Sequence, residues 1–135
     1  MSCSVACIDY RDGKILIAKR IMRGDMGGRW EFPGGKIEEG EDYTTAIKRE
    51  MLEEFGCDCQ VFEELAQGSF IHSGQICSVV AFRVKLSNDG IARPFTLTEH
   101  TQTEWIEPEK ISQLSFVDSD LNIFDQIKNH LKIGE

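Results

Sequence analysis

"GKIEEGEDYTTAIKREMLEEFGC", residues 35–57, holds more acid than an ordinary helix tolerates. From about Thr44 to Phe55 the pattern is helical, and Gly56 stands where a helix terminates. Glu50, Glu53 and Glu54 lie at i, i+3 and i+4, where like charges repel by a few tenths of a kcal/mol per pair. At 100° per residue they share an arc of about 100°, with Ile47, Met51, Leu52 and Phe55 on the neighbouring side. One side predicts packing; the other concentrates negative charge in a chain already at net charge −8. A solvated face usually intersperses lysines, and only Lys48 and Arg49 are near. Three carboxylates with no lysine among them suit a hard cation such as Mg²⁺, which takes oxygen ligands and keeps several waters. The helix by itself leaves a metal face and a solvated face equally open.

Upstream, "SVACIDY", "RDG" and "KILIAKR" predict a hairpin about an Asp-Gly turn. Residues 21–29, "IMRGDMGGR", predict a mobile glycine-rich loop, and "WEF" leads into Pro33-Gly34-Gly35, a chain-bending signal. Downstream, "CDCQVFEELAQGSFI", "QICSVVAFRVKL" and "QTEWI" read as strands, with "SNDGIARP" as a loop. "EPEKISQL" predicts a short helix with Pro108 in its first turn. "DSDLNIFDQIKNHL" predicts a closing helix capped by Asp118 or Ser119. Its stripe of Leu121, Ile123, Phe124, Ile127 and Leu131 is expected in the core. Strands, helix, strands, helix imply an α/β protein: a mixed sheet with helices on its faces.

The 135 residues suit a single domain, 1–135, and 41% hydrophobic with 28% charged residues is an ordinary globular composition. No apolar run reaches bilayer-spanning length, and the N-terminus lacks the pattern of a secretory signal, which predicts a cytoplasmic protein and no membrane partner. Cys3, Cys7, Cys57, Cys59 and Cys77 are odd in number and contain no CxxC, so no disulfide framework is expected. A pI near 4.9 argues against stable nucleic-acid binding. A small polyanionic substrate still fits, provided a divalent metal offsets the acids.

The segment resembles the Nudix box: glycine, five residues, Glu, seven residues, Arg-Glu, an aliphatic, one residue, Glu-Glu, one residue, Gly and an aliphatic. Gly35, Glu41, Arg49, Glu50, Glu53, Glu54 and Gly56 match at the required spacing, with Met51 at the first aliphatic position. Cys57 departs from the second, which bears on packing alone. "WEFPGGKIEEGE" is similar to the same region of MutT-like nucleoside triphosphate pyrophosphohydrolases, and the likeness covers nearly the whole chain. The resemblance implies an α/β/α sandwich around a mixed β-sheet. It also implies attack of water on a nucleoside triphosphate, yielding monophosphate and pyrophosphate with Mg²⁺, or Mn²⁺ as a substitute.

By the same resemblance, Glu50, Glu53 and Glu54 bind metal with the Gly34 carbonyl. Glu50 doubles as a candidate general base, and Glu41 pairs with Arg49 to orient the glutamates. Glu99 occupies the loop where relatives place a further metal-binding or base glutamate. Arg20 matches an arginine near the substrate. The base pocket maps to "RWEF", where Phe32 is a stacking candidate or plain core, and to "SFVDSDLNIF", which holds Asp118 and Asp120. Relatives similar to CTP pyrophosphohydrolases carry aspartate at the position of Asp120, where purine-reading MutT proteins carry asparagine. An ionised carboxylate only accepts hydrogen bonds, which suits the N4 donor of cytosine. The expected substrate is therefore CTP, dCTP or a modified form. The alternatives are an 8-oxo-(d)GTP diphosphatase and a catalytically silent nucleotide-binding module, for a monomer or homodimer.

Overall fold

The computed structural model describes residues 2–21, 28–89 and 100–132. Eight strands are present among them: β1 Ser2–Ile8, β2 Tyr10–Arg11, β3 Lys14–Arg20, β4 Trp30–Glu31, β5 Gly34–Lys36, β6 Cys59–His72, β7 Gln75–Leu86 and β8 His100–Ile106. Helix α1 spans Tyr43–Phe55, helix α2 spans Asp118–Leu131, and a 3₁₀ turn, Pro108–Gln113, precedes α2. The strands divide into two sheets of four. One is mixed, in the order β5-β1-β7-β6, with β1 and β7 parallel and the other pairs antiparallel. In the other, β3 pairs antiparallel with β2 and β4 at its two ends and with β8 along its length.

The predicted hairpin is shorter than "SVACIDY" suggests. Asp12 and Gly13, both at positive φ (50° and 78°), close β2 onto β3, while β1 leaves for the other sheet. The break falls at Asp9, which is 2% exposed. Its carboxylate takes a bidentate pair from Arg11, 2.8 and 2.7 Å, and the N–H of Leu86 at 3.0 Å. A buried carboxylate needs those donors, so the chain turns where they converge.

Alternating residues of β1 feed two cores. Val5 and Cys7 join Leu16, Ala46, Ile47, Met51 and Phe55 beneath α1. Ala6 and Ile8 join Ile15, Ile17, Val79, Ala81, Ile123, Phe124 and Ile127 beneath α2. With both faces covered, the layers are α/β/α, the predicted sandwich. Pro33-Gly34-Gly35 does more than bend the chain: Gly34 and Gly35 pair with Ala6 and Val5, and a Cβ on Gly34 would overlap the Val5 carbonyl. That glycine is there for close approach.

Two expectations for α2 fail. Leu121 is 37% exposed, and the N-cap is Val117, with no side-chain cap. The reason is upstream. Trp30 N–H donates to Ser115 carbonyl (2.7 Å) and Val117 N–H to Trp30 carbonyl (2.9 Å), so strand-like pairing runs up to the helix and sets its first turn. Residues 22–27 and 90–99, which carry most of both predicted loops, lie outside the described residues.

Candidate active site

Asp42 starts α1 by accepting from Thr45 N–H at 2.7 Å, and Gly56 ends it at φ 65° with its N–H on the Leu52 carbonyl. Between these caps the buried residues are Ala46, Ile47, Met51, Glu54 and Phe55, an arc of about 180° that contains Glu54 near its middle. Leu52, expected on the packed side, is 61% exposed. The three acids thus sit at graded depth: Glu54 is 7% exposed, Glu50 is partly buried, and Glu53 projects outward. Glu54 therefore lies on the packed side of the helix, whereas a solvated acidic face would keep all three acids in water.

Arg49 gathers the acids around it. Its Nε and Nη2 hold both oxygens of Glu41, at 2.7 and 2.9 Å, and Nη2 also donates to the Lys36 carbonyl at 3.0 Å. Nη1 reaches Glu50 at 2.9 Å and Glu53 at 3.6 Å. The Arg49 guanidinium holds the Glu41 carboxyl down to about 2, helped by the Glu38 N–H on Glu41 Oε1 at 2.8 Å. Repulsion along the helix is therefore relieved in part by this arginine, before any metal is considered. The pairing of Glu41 with Arg49 read from the sequence is present as a two-bond fork.

Beside it, Gly35 makes room for Glu50: a Cβ there would overlap the carboxylate. The side chains of Glu50, Glu53 and Glu54, with the Gly34 carbonyl, offer oxygen donors only. Among the described residues no three acidic, histidine or cysteine side chains converge closely enough to hold a metal ion between them. The chemistry of the donors fits Mg²⁺, which prefers oxygen, takes one or two carboxylates and completes its shell with water and substrate phosphate. Glu99 lies outside the described residues.

The second cluster lies at the start of α2. Asp120, 6% exposed, accepts from the Phe32 N–H at 2.9 Å. Arg20, at the end of β3, donates through Nη1 to both oxygens of Glu31, 3.1 and 3.3 Å. Its Nε is buried without a partner among the described residues. Burial pushes the Asp120 carboxyl up to about 8; the charge of Glu31 adds to this, while the Phe32 N–H and Arg20 pull it back. Arg20, Phe32 and Asp120 are thus brought together. The Phe32 ring, however, is in the core, 5.1 Å from Phe116 and 6.0 Å from Phe124, and its backbone N–H is what meets Asp120. Asp118 faces water, 3.7 Å from Arg29. Sequence reasoning passed over Glu31; an acid between Trp30 and Phe32, two residues before Pro33, was the available signal. It also passed over the position of Asp120, which lies at the centre of the apolar stripe of α2 at 100° per residue.

A family model described as the NUDIX domain matches residues 3–127. The CTP pyrophosphohydrolase of Escherichia coli (strain K12) is 35% identical over 121 residues, covering 90% of this chain and 87% of that protein. The 8-oxo-dGTP diphosphatase of Proteus vulgaris is 41% identical over 69 residues, 49% of this chain and 60% of its own length. Among solved structures, the E. coli ORF135 protein has a TM-score of 0.79 at 31% identity, covering 100% of this chain and 95% of that one. The MutT protein of Methanosarcina mazei Go1, at 22% identity, shares the fold with a TM-score of 0.74 over 97% of this chain and 93% of its own. With the match spanning both carboxyl clusters, the chain belongs to the NUDIX family and is an enzyme, a nucleotide pyrophosphohydrolase.

Proposed function

We propose that the protein hydrolyses a nucleoside triphosphate to monophosphate and pyrophosphate with Mg²⁺, and that its substrate is a cytosine nucleotide, CTP, dCTP or a modified form. The observation that carries the reading is the pair of carboxyl clusters: an acidic face steadied by Arg49 for the phosphates, and a buried carboxyl at Asp120 for the base. The similarity to a CTP pyrophosphohydrolase over most of both chains supports the choice of base.

Glu50, Glu53 and Glu54, with the Gly34 carbonyl, are the residues to hold Mg²⁺, and Glu99 is a further candidate. When bound, the metal screens the phosphate oxygens and offsets charge on the departing pyrophosphate. Glu50 takes the proton of the attacking water as its oxygen bonds to phosphorus and the bond to the leaving pyrophosphate breaks. Arg49, locked by Glu41, keeps Glu50 in one orientation for that transfer. Asp120 with the Phe32 N–H orients the base, and Arg20 stands beside them.

The test is a screen of ribo- and deoxynucleoside triphosphates, including CTP, dCTP, UTP, 5-substituted dCTP and 8-oxo-dGTP, with product analysis and an EDTA control. Highest kcat/KM on a cytosine substrate with release of pyrophosphate is expected. Preference for 8-oxo-dGTP would replace the cytosine reading with oxidised-purine removal, as the similarity to 8-oxo-dGTP diphosphatases allows. Release of orthophosphate, or equal rates in EDTA, would refute the reaction itself.

A further inference from the structure

Asp120 is a buried carboxyl with no ion-pair partner among the described residues. Its Oδ2 accepts from the Phe32 N–H, while Arg20 gives Nη1 to both oxygens of Glu31 and keeps a buried Nε with no partner among the described residues. Arg29, just before β4, is 3.7 Å from the exposed Asp118. Among the described residues the charged groups that act on Asp120 are Glu31 on β4, a like charge, and Arg20 on β3, whose pull is weakened by its ion pair with Glu31. A carboxyl so placed gives up water without gaining a counter-ion.

We propose that Asp120 reads the base as a neutral carboxylic acid and that Glu31 keeps it so. The proposal rests on the cytosine reading above. Since Oδ2 is engaged as an acceptor, the proton resides on Oδ1. The group then offers Oδ1–H to cytosine N3 while the second lone pair of Oδ2 accepts from the N4 amine, a two-bond match to the base edge. Uracil presents the reverse pattern, an N3–H donor and an O4 acceptor, and meets donor with donor and acceptor with acceptor. Ionised, Asp120 loses the bond to N3 and its discrimination with it. The upward displacement of its titration to about 8 agrees with this assignment.

The assignment reverses what asparagine should do. An amide also presents one donor and one acceptor, so Asp120→Asn stands in for the neutral acid, whereas for an ionised acceptor it would be a misplaced donor. The measurement is the ratio of kcat/KM for CTP to that for UTP, from about pH 6 to about pH 9, in the native enzyme, Asp120→Asn and Glu31→Gln. Taking the ratio cancels the ionisations of the phosphates, the metal-binding acids and the general base, which both substrates share. The native ratio is expected to fall about tenfold as pH rises through and one unit past the titration of the free enzyme. Asp120→Asn should keep a ratio in favour of CTP that does not change with pH. Glu31→Gln, which removes the like charge and releases Arg20, should move the fall to lower pH. The ¹³C shift of the Asp120 carboxyl follows its titration in the free protein and needs no variant to fold.

A strong preference for CTP that is flat to about pH 9, together with its collapse in Asp120→Asn, overturns the neutral acid and leaves the cytosine reading intact. A carboxyl shift that titrates in the ordinary range of aspartate overturns it as well. No preference for CTP at about pH 6 removes the cytosine reading itself, and the proposal with it.

Discussion

Glu41 and Asp120 are both poorly exposed carboxyls, and they are held in opposite ways. Glu41 meets a guanidinium with both oxygens and a backbone N–H besides, and its titration drops to about 2. Asp120 has one backbone N–H as partner, and burial above all, with the charge of Glu31 added, lifts its titration to about 8. The first arrangement produces a permanent charge that anchors Arg49 and, through it, Glu50. The second produces a group poised to lose its proton near neutral pH. Under the proposed function, the difference separates two tasks. Phosphate chemistry needs fixed charges around a metal, whereas reading a base needs donors and acceptors in a pattern.

The largest effects should come from the anchored side. Glu53 projects to solvent, so Glu53→Gln should leave the far-UV spectrum and melting temperature nearly unchanged. Removing one charged oxygen donor should still lower kcat by about 10²–10⁴-fold. Near-native turnover would show that the acidic face does not serve the reaction, and the contrast between the two clusters would lose its meaning. Chelation by EDTA should abolish activity to a similar extent and be reversed by added Mg²⁺.

The glycines beside Glu50 sharpen the same contrast. A Cβ at Gly35 would overlap the Glu50 carboxylate, the free end of a flexible side chain that can swing aside. Gly35→Ala should therefore fold normally and lose activity by about 10–100-fold, since a displaced base is a slow one. A Cβ at Gly34 would instead overlap the Val5 carbonyl, which β1 cannot move without breaking its pairing. Gly34→Ala should cost at least about 2 kcal/mol of stability. Paired denaturation and kinetic measurements separate them. If Gly35→Ala keeps full kcat, Glu50 has no need of its present position.

Part of this contrast was legible in residues 35–57, because side-chain spacing on a helix is a property of the chain alone. Spacing put Glu50, Glu53 and Glu54 on one arc, the resemblance to the Nudix box supplied their expected roles and the pairing of Glu41 with Arg49, and helices on the faces of a mixed sheet followed from element order. What could not be read depended on partners distant in sequence. Asp9 breaks the first strand because Arg11 and Leu86 meet there, and Val117 replaces Asp118 as N-cap because Trp30 pairs with the preceding residues. Asp120 was legible as a candidate but not in its charge, which burial and Glu31 decide together. Glu54 and Leu52 exchanged places for a similar reason, since the sheet beneath α1 covers a wider arc than its apolar residues define.

The smallest effects are on stability, and they run in opposite directions with pH. Glu41 has its titration lowered from 4.5 to about 2, so its contribution is present above the upper value and is lost as pH falls through the lower one. For Asp120 the titration is raised from 3.8 to about 8; its contribution is complete below the first value and is lost as pH rises through the second. Urea midpoints should reflect both. Asp120→Asn, which cannot ionise and retains an acceptor for the Phe32 N–H, should gain on the native protein progressively between about pH 4 and about pH 8, by on the order of a few kcal/mol. Glu41→Gln should lie below the native protein at neutral pH and converge with it toward pH 2, because protonation then disarms the same pair that the substitution removes. Parallel curves for native protein and Asp120→Asn across the neutral range would mean that Asp120 is ionised throughout, and that the two carboxyls differ in place but not in state.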